Sequence, residues 1–340
     1  MAGLGAVRGW IRLRRGGYLL LLAAGLGLFL TYVVTSPPAG AWASFRVETV
    51  PAAAGSALTP LTGGPDLDGF STFAPDGKQI AFMRNGQIWL MDPSGARPKA
   101  LVHDPDFWDA APAWRRDGGQ IAFVRFPIRG SGTGISARVV VADPVTGVVK
   151  EVAREQQPIG YVTYGADGKS LYYTTLNALI QLDLQTLQSK QVLLVKQGWE
   201  MISGGLCLSP DGKSLVFGAG PTNDRRPAYD LWRLDLTKPG AQPEPLTRNG
   251  GIMPAFDRTG RRLAYRNPRE STGIYLMEVG SGKAVQVLSD TPQAMYFHPA
   301  FTPDGRHLAV SELMLADPSR NDGPAGAKFR SRLHLLALPE

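Results

Sequence analysis

Four histidines, His103, His298, His307 and His334, and one cysteine, Cys207, are the side chains of this 340-residue chain best suited to proton transfer, metal ligation or nucleophilic attack. They are scattered. No two share the spacing of a metal site, and no G-x-S-x-G nucleophile elbow occurs. Cys207 lies in a strand-like apolar run and is expected to be buried and inert. Carboxylates cluster more clearly, as Asp66, Asp68, Asp104, Asp106 and Asp109. Such a group suits Ca²⁺ or a basic peptide; the competing reading is capping of turns by aspartate, and no cofactor or metal is expected. A third group is apolar: Phe70, Phe107, Trp108, Trp199, Met201, Met253, Met295, Tyr296 and Phe297, the last beside His298. Aromatic and methionine side chains are favoured at the cores of protein interfaces.

The elements that must position these residues are repeats. "SPDGKSLVF" (Ser209–Phe217) recurs as "APDGKQIAF" (Ala74–Phe82) and "GADGKSLYY" (Gly165–Tyr173). Degraded copies are "RRDGGQIAF" (Arg115–Phe123), "DRTGRRLAY" (Asp257–Tyr265) and "TPDGRHLAV" (Thr302–Val310). Asp-Gly is a strong signal for a two-residue hairpin turn, because glycine accepts positive φ. Each copy therefore reads as two strands, a and b, joined at Gly77, Gly118, Gly168, Gly212, Gly260 or Gly305. A third strand, c, follows ("QIWLMD", "ARVVVAD", "ALIQLD", "DLWRLD", "GIYLMEV", "RLHLLAL"), and then a fourth, d ("PKALVHD", "VKEVAR", "KQVLLV", "PEPLTRN", "VQVLSD"). Four antiparallel strands at a period of about 40–50 residues define a β-propeller blade. The expected fold is all-β: a six-bladed propeller of four-stranded antiparallel blades over residues 56–340, preceded by one N-terminal transmembrane helix.

The sixth unit has strands a, b and c but no d. "SALTPLT" (Ser56–Thr62) resembles the missing strand and is expected to pair with the last blade, closing the ring and removing an open edge. Because strands alternate in direction, the a–b and c–d loops share one face and the d–a and b–c loops the other. The a–b face, with its short turns, reads as structural. The d–a face, with irregular loops, is the expected partner face. Its anchors are Trp108, Trp199 and Tyr296, its polar partners Asp68 and Asp109, and Phe107, Met295 and His298 complete it. The alternative is that these apolar side chains plug the channel mouth and pack between blades.

Residues 18–34, "YLLLLAAGLGLFLTYVV", carry no charge and approach the roughly 20 residues that cross a bilayer as a helix. Arg8, Arg12, Arg14 and Arg15 precede them, which places the N-terminus in the cytoplasm. Residues 1–17 then form a basic cytoplasmic tail, 18–34 a signal anchor and 35–55 a stalk, with the propeller extracytoplasmic, in a periplasm or at the cell surface. "AWA" (Ala41–Ala43) is the alternative, a cleavage site, but the apolar stretch is longer than a usual signal core and ends well before it. The tail arginines account for four of the net +7 charges, and no aromatic–basic module for nucleic acid is present.

"SPDGK" before an apolar strand, then "WRLD", then "PLT", resembles the repeat of the TolB-like propellers, over about residues 56–340. That resemblance implies a periplasmic propeller that binds a peptidoglycan-associated lipoprotein within an envelope-spanning system. TolB proteins carry an N-terminal α/β domain where this chain has an apolar segment and a linker, so the fold carries over and the TolB role does not follow. The expectation is a non-catalytic scaffold for a protein or other ligand, with a protein partner at the envelope or in a membrane complex and none among nucleic acids. Two alternatives stand beside it: a propeller enzyme, glycan lyase or hydrolase-like, at the channel mouth, and an accessory subunit of a membrane complex.

Overall fold

Each apolar b strand is buried on both faces, which is why it reads as a run rather than an alternation. Ile80–Met83, Ile121–Val124, Leu215–Phe217 and Leu308–Val310 are all buried, each sandwiched between neighbouring blades. A computed structural model of the chain describes residues 58–128, 136–221, 229–269, 271–315 and 329–339. Residues 1–55, with the expected anchor and stalk, lie outside the described residues. Among the described residues no helix is long and apolar enough to cross a membrane.

The strands form six antiparallel sheets, so the described residues make an all-β, six-bladed propeller. Blade 1 comprises β2 (Asp68–Phe73), β3 (Ile80–Arg84), β4 (Gln87–Met91) and β5 (Lys99–Ala100). Blade 6 comprises β23 (Ala294–Phe301), β24 (His307–Leu315), β25 (Phe329–Ala337) and, as its outer strand, β1 (Leu58–Pro60). The register is Leu58↔Leu336, Thr59↔Leu335 and Pro60↔His334. The two ends of the described chain thus share one sheet. Pro60, which has no N–H to give, sits where only an edge strand tolerates it.

Blade 4 departs from the pattern. Its inner strand is split into β14 (Trp199–Glu200) and β15 (Leu206–Leu208), both paired with β16 (Ser214–Pro221). Between them Gly204 lies against Gly218 so closely that a Cβ on Gly204 would stand 2.0 Å from the Gly218 carbonyl oxygen.

The repeated turn is not the two-residue hairpin that Asp-Gly suggested. In blade 1 the Ala74 N–H donates to the Gln79 carbonyl, and the Gly77 N–H to the Ala74 carbonyl. The loop is therefore four residues, Pro75-Asp76-Gly77-Lys78. Proline opens the turn, aspartate accepts from the N–H two residues on (Lys78 N to Asp76 Oδ1, 3.0 Å), and glycine takes φ +74°. The same aspartate-to-N–H bond recurs at Asp117, Asp167, Asp211 and Asp304. A true two-residue turn occurs elsewhere, at Asn85-Gly86 between the paired Arg84 and Gln87, with positive φ at both residues.

Candidate functional site: a blind channel open at the a–b turns

Aligned on their turn glycines, the six inner strands put the same positions around the axis. The channel cavity, about 520 Å³, is lined in every blade by residues lying between seven and two before that glycine. It is open at the a–b turns and ends at the seventh position back, occupied by Phe70, Ala111, Tyr161, Gly205, Met253 and His298. The a–b face, expected to be structural, thus also carries the mouth of this cavity.

A β-bulge builds the floor. The a–b strand register shifts between Gly69 and Thr72, Ala110 and Ala113, Ile159 and Val162, Ile252 and Ala255, and Phe297 and Ala300. Phe70, Ala111, Met253 and His298 adopt φ of +50° to +56° at these bulges, and Gly205 takes +80° in blade 4. Side-chain residues rarely sit there. The bulge turns them inward, and large ones meet across the axis. The Phe70 and His298 rings are 3.8 Å apart, and Phe70 lies 6.1 Å from Tyr161. Tyr161 comes from blade 3, opposite blade 6, and its hydroxyl lies 3.4 Å from His298 Nε2. His298 Nδ1 is buried without a hydrogen-bond partner. Burial, with the Arg266 charge nearby, pulls the His298 pKa down to about 3. Burial pushes the Tyr161 hydroxyl well above its usual value. At neutral pH both are uncharged.

Above the floor the wall is built of small side chains, Thr72, Ala113, Thr163, Cys207, Ala255 and Ala300, all partly exposed. Cys207 is thus not fully buried as expected, although burial of its thiol still raises its pKa. The lip, two residues before the turn glycine, is Pro75, Arg116, Ala166, Pro210, Arg258 and Pro303.

The residues expected to form the partner face are distributed differently. Asp68 (1% exposed) and Asp109 (0%) are engaged within their own blades. Asp68 takes two bonds from Arg84 (2.7 and 2.8 Å), and Asp109 two from Arg125 (2.7 and 2.8 Å). Burial pushes the Asp109 carboxyl up against the pull of Arg125. Two neighbouring acids join these pairs, Asp66 at 3.6 Å from Arg84 and Asp104 at 3.7 Å from Arg125, whereas Asp106 is exposed and accepts the Ile128 N–H only on its backbone carbonyl. Among the described residues no group of three or more side chains could hold a metal ion. The arginines were the missed signal: each stands sixteen residues after its aspartate, on the adjoining b strand.

Tyr296 is 6% exposed, its hydroxyl 3.4 Å from Glu312 and its carbonyl accepting from Arg266. Trp108 packs on Gly86, where a Cβ would meet its ring at 2.4 Å. Phe107 lies between the guanidinium groups of Arg125 and Arg138, 4.9 and 4.6 Å from its ring centre. Trp199 is half-buried between Trp232 (5.5 Å, edge-on) and the Lys196 ammonium (4.2 Å). Met295 is half-buried on β23. Of the eight residues only His298 lines the channel. His103 is exposed, and His334 is bonded to Glu312 at 2.8 Å.

No protein-family model matches the chain, and no curated protein matches it. Solved structures do. An oligogalacturonate lyase in complex with manganese is 16% identical, with 82% of this chain and 79% of that one covered, at a TM-score of 0.57. TolB from Acinetobacter baumannii is 19% identical, with 79% of this chain covered, at a TM-score of 0.55; the match spans 63% of that TolB's length. A gluconolactonase from Xanthomonas campestris is 12% identical, with 83% and 89% covered, at a TM-score of 0.57. At these identities the likeness is one of fold, shared by binding proteins and enzymes alike.

Proposed function

We propose that this chain is a membrane-anchored, extracytoplasmic binding module, and that its ligand or protein partner inserts into the blind channel from the a–b turn side. One observation carries the reading: a chamber of about 520 Å³ walled by small side chains, open at one end and floored by interlocked aromatic rings. Clefts of this size are where ligands bind. The half-exposed Trp199, with Lys196 over its ring, adds a contact for a large partner on the opposite side.

The enzyme reading has one observation in its favour, the His298–Tyr161 pair at the channel floor. Its chemistry is unfavourable. A general acid or base works best with a pKa near the operating pH, whereas His298 is displaced to about 3 and Tyr161 upward. The TolB likeness fits a binding role and the lyase likeness a catalytic one. The charge asymmetry of residues 1–34 supports the anchor and its orientation.

The test fills the channel. Ala113→Trp and Ala300→Trp place an indole in the chamber on half-exposed wall positions. Tagged full-length chain, wild type and variants, is used to capture partners from native membranes in mild detergent, with quantitative mass spectrometry. The expected result is loss of the captured partner in both variants with unchanged melting temperature. An unchanged set of captured proteins would refute the channel as the binding site. Orientation is checked by protease added to spheroplasts: the propeller should be cut without permeabilising the inner membrane.

A further inference from the structure

The lip carries two arginines and three prolines in a defined order. Arg116 belongs to blade 2 and Arg258 to blade 5, which stand opposite each other in a ring of six. Each reaches past one blade. A guanidinium nitrogen of Arg116 donates to the Pro210 carbonyl of blade 4 at 3.3 Å, and one of Arg258 to the Pro75 carbonyl of blade 1 at 3.3 Å. The two arms thus lie along opposite arcs of the mouth, related by a near-twofold about the channel axis. Both side chains are exposed, and neither is in an ion pair among the described residues.

The acids nearby are otherwise engaged. Asp76, Asp117, Asp167, Asp211 and Asp304 accept backbone N–H groups of their own turns. Asp257, the one carboxylate lining the chamber, is buried and bonded to Arg262 at 3.0 Å. His298 below is neutral. The one chamber carboxylate is thus paired with Arg262, and neither lip arginine has an ion-pair partner among the described residues.

We infer that the channel mouth binds a small organic dicarboxylate, one carboxylate on each arginine and the carbon chain lowered toward Thr72, Thr163 and the aromatic floor. A guanidinium offers two parallel N–H donors that match a carboxylate, and such charge-assisted pairs are stronger than a single bond to a neutral carbonyl. Leaving the proline carbonyls is cheap, because these bonds are long and the lip is open to water. Two cations on opposite arcs favour two separated carboxylates over one. This rests on the reading of the channel as a binding site and names the chemistry of its ligand.

The experiment titrates the full-length chain calorimetrically with linear dicarboxylates from succinate to sebacate and with the matching diamides. At least one dicarboxylate should bind, its diamide at least tenfold more weakly. Arg116→Gln and Arg258→Gln should each weaken binding about tenfold and together about a hundredfold. Lys78→Gln and Lys213→Gln, on the outer arc of the turns, should change it less than twofold, which separates the arms from net charge. Absence of binding throughout the series, equal binding of the diamides, or unchanged affinity in the two arginine variants would overturn the inference. If dicarboxylates fail while Ala300→Trp still strips the captured partner, the channel stands and its ligand is of another class. If Ala300→Trp also leaves capture unchanged, the channel falls with it.

Discussion

The two ends of the channel treat arginine in opposite ways. Behind the floor, Arg84, Arg125 and Arg266 are clamped by Asp68, Asp109 and Asp290, with nitrogen–oxygen distances of 2.6 to 2.7 Å in the closest contacts. At the lip, Arg116 and Arg258 rest on backbone carbonyls, and among the described residues neither is in an ion pair. Burial explains the difference. A guanidinium removed from water needs a fixed counter-charge, because desolvating it alone is prohibitive, whereas one at an open mouth keeps its hydration and leaves its donors available. The first kind holds the ring's architecture; the second is in a position to meet a ligand.

The largest break in this comparison comes from removing an acid behind the floor. Asp109→Ala strands Arg125, and Asp290→Ala strands Arg266, which is only 3% exposed. Losing one partner of a buried pair costs about 3–5 kcal/mol, so urea unfolding midpoints should fall steeply in both. Asp68→Ala should cost less, since Arg84 at 14% exposure can turn toward water. Losses below about 1 kcal/mol in all three would show that these pairs do not hold the blades.

The floor between the two ends responds to pH. His298 has a folded pKa of about 3 against an ordinary 6.5. As pH falls from 7 to 5 the unfolded chain takes up a proton on this residue and the folded chain does not, so folding stability drops. Linkage puts the drop at about 2 kcal/mol by pH 5. His298→Gln lacks it, while every other titrating group is common to both proteins. The stability gap between wild type and variant should therefore shift by about that amount between pH 7 and pH 5. A constant gap would mean that the ring is already solvated and the floor open.

Much of the architecture is legible in the sequence because it rests on local turn chemistry. Pro-Asp-Gly-Lys or a degraded copy of it recurs at each four-residue a–b turn that needs φ > 0 at its glycine, and "LTP" at Leu58–Pro60 shows the look of a missing edge strand. The open end of the channel is less legible. It depends on whether Phe70, Tyr161 and His298 meet across the axis, and that follows from positive φ at bulges that no residue type announces. Phe70 and His298 are poor residues for that backbone. Only counting back from the turn glycines brings the floor and the lip into view, as two rings of six. The partners of Asp68 and Asp109 escaped for a related reason. Each arginine is on the next strand, and nothing in a loop's composition says that its acids are already engaged.

The smallest effect sharpens the comparison most. Arg116→Gln and Arg258→Gln should change unfolding free energy by no more than about 0.5 kcal/mol, the usual range for surface positions without a packing role. Each loses a 3.3 Å bond to a carbonyl at the lip, and water can replace it. The same substitution at Arg125 would remove both bonds to a carboxylate that is 0% exposed, and belongs among the large losses. A lip variant that proved as costly as Asp109→Ala would make the two arms structural straps spanning blades 2 to 4 and 5 to 1. An inexpensive variant leaves their exposed charge without a structural role, as a group held ready at the mouth for an anion from outside.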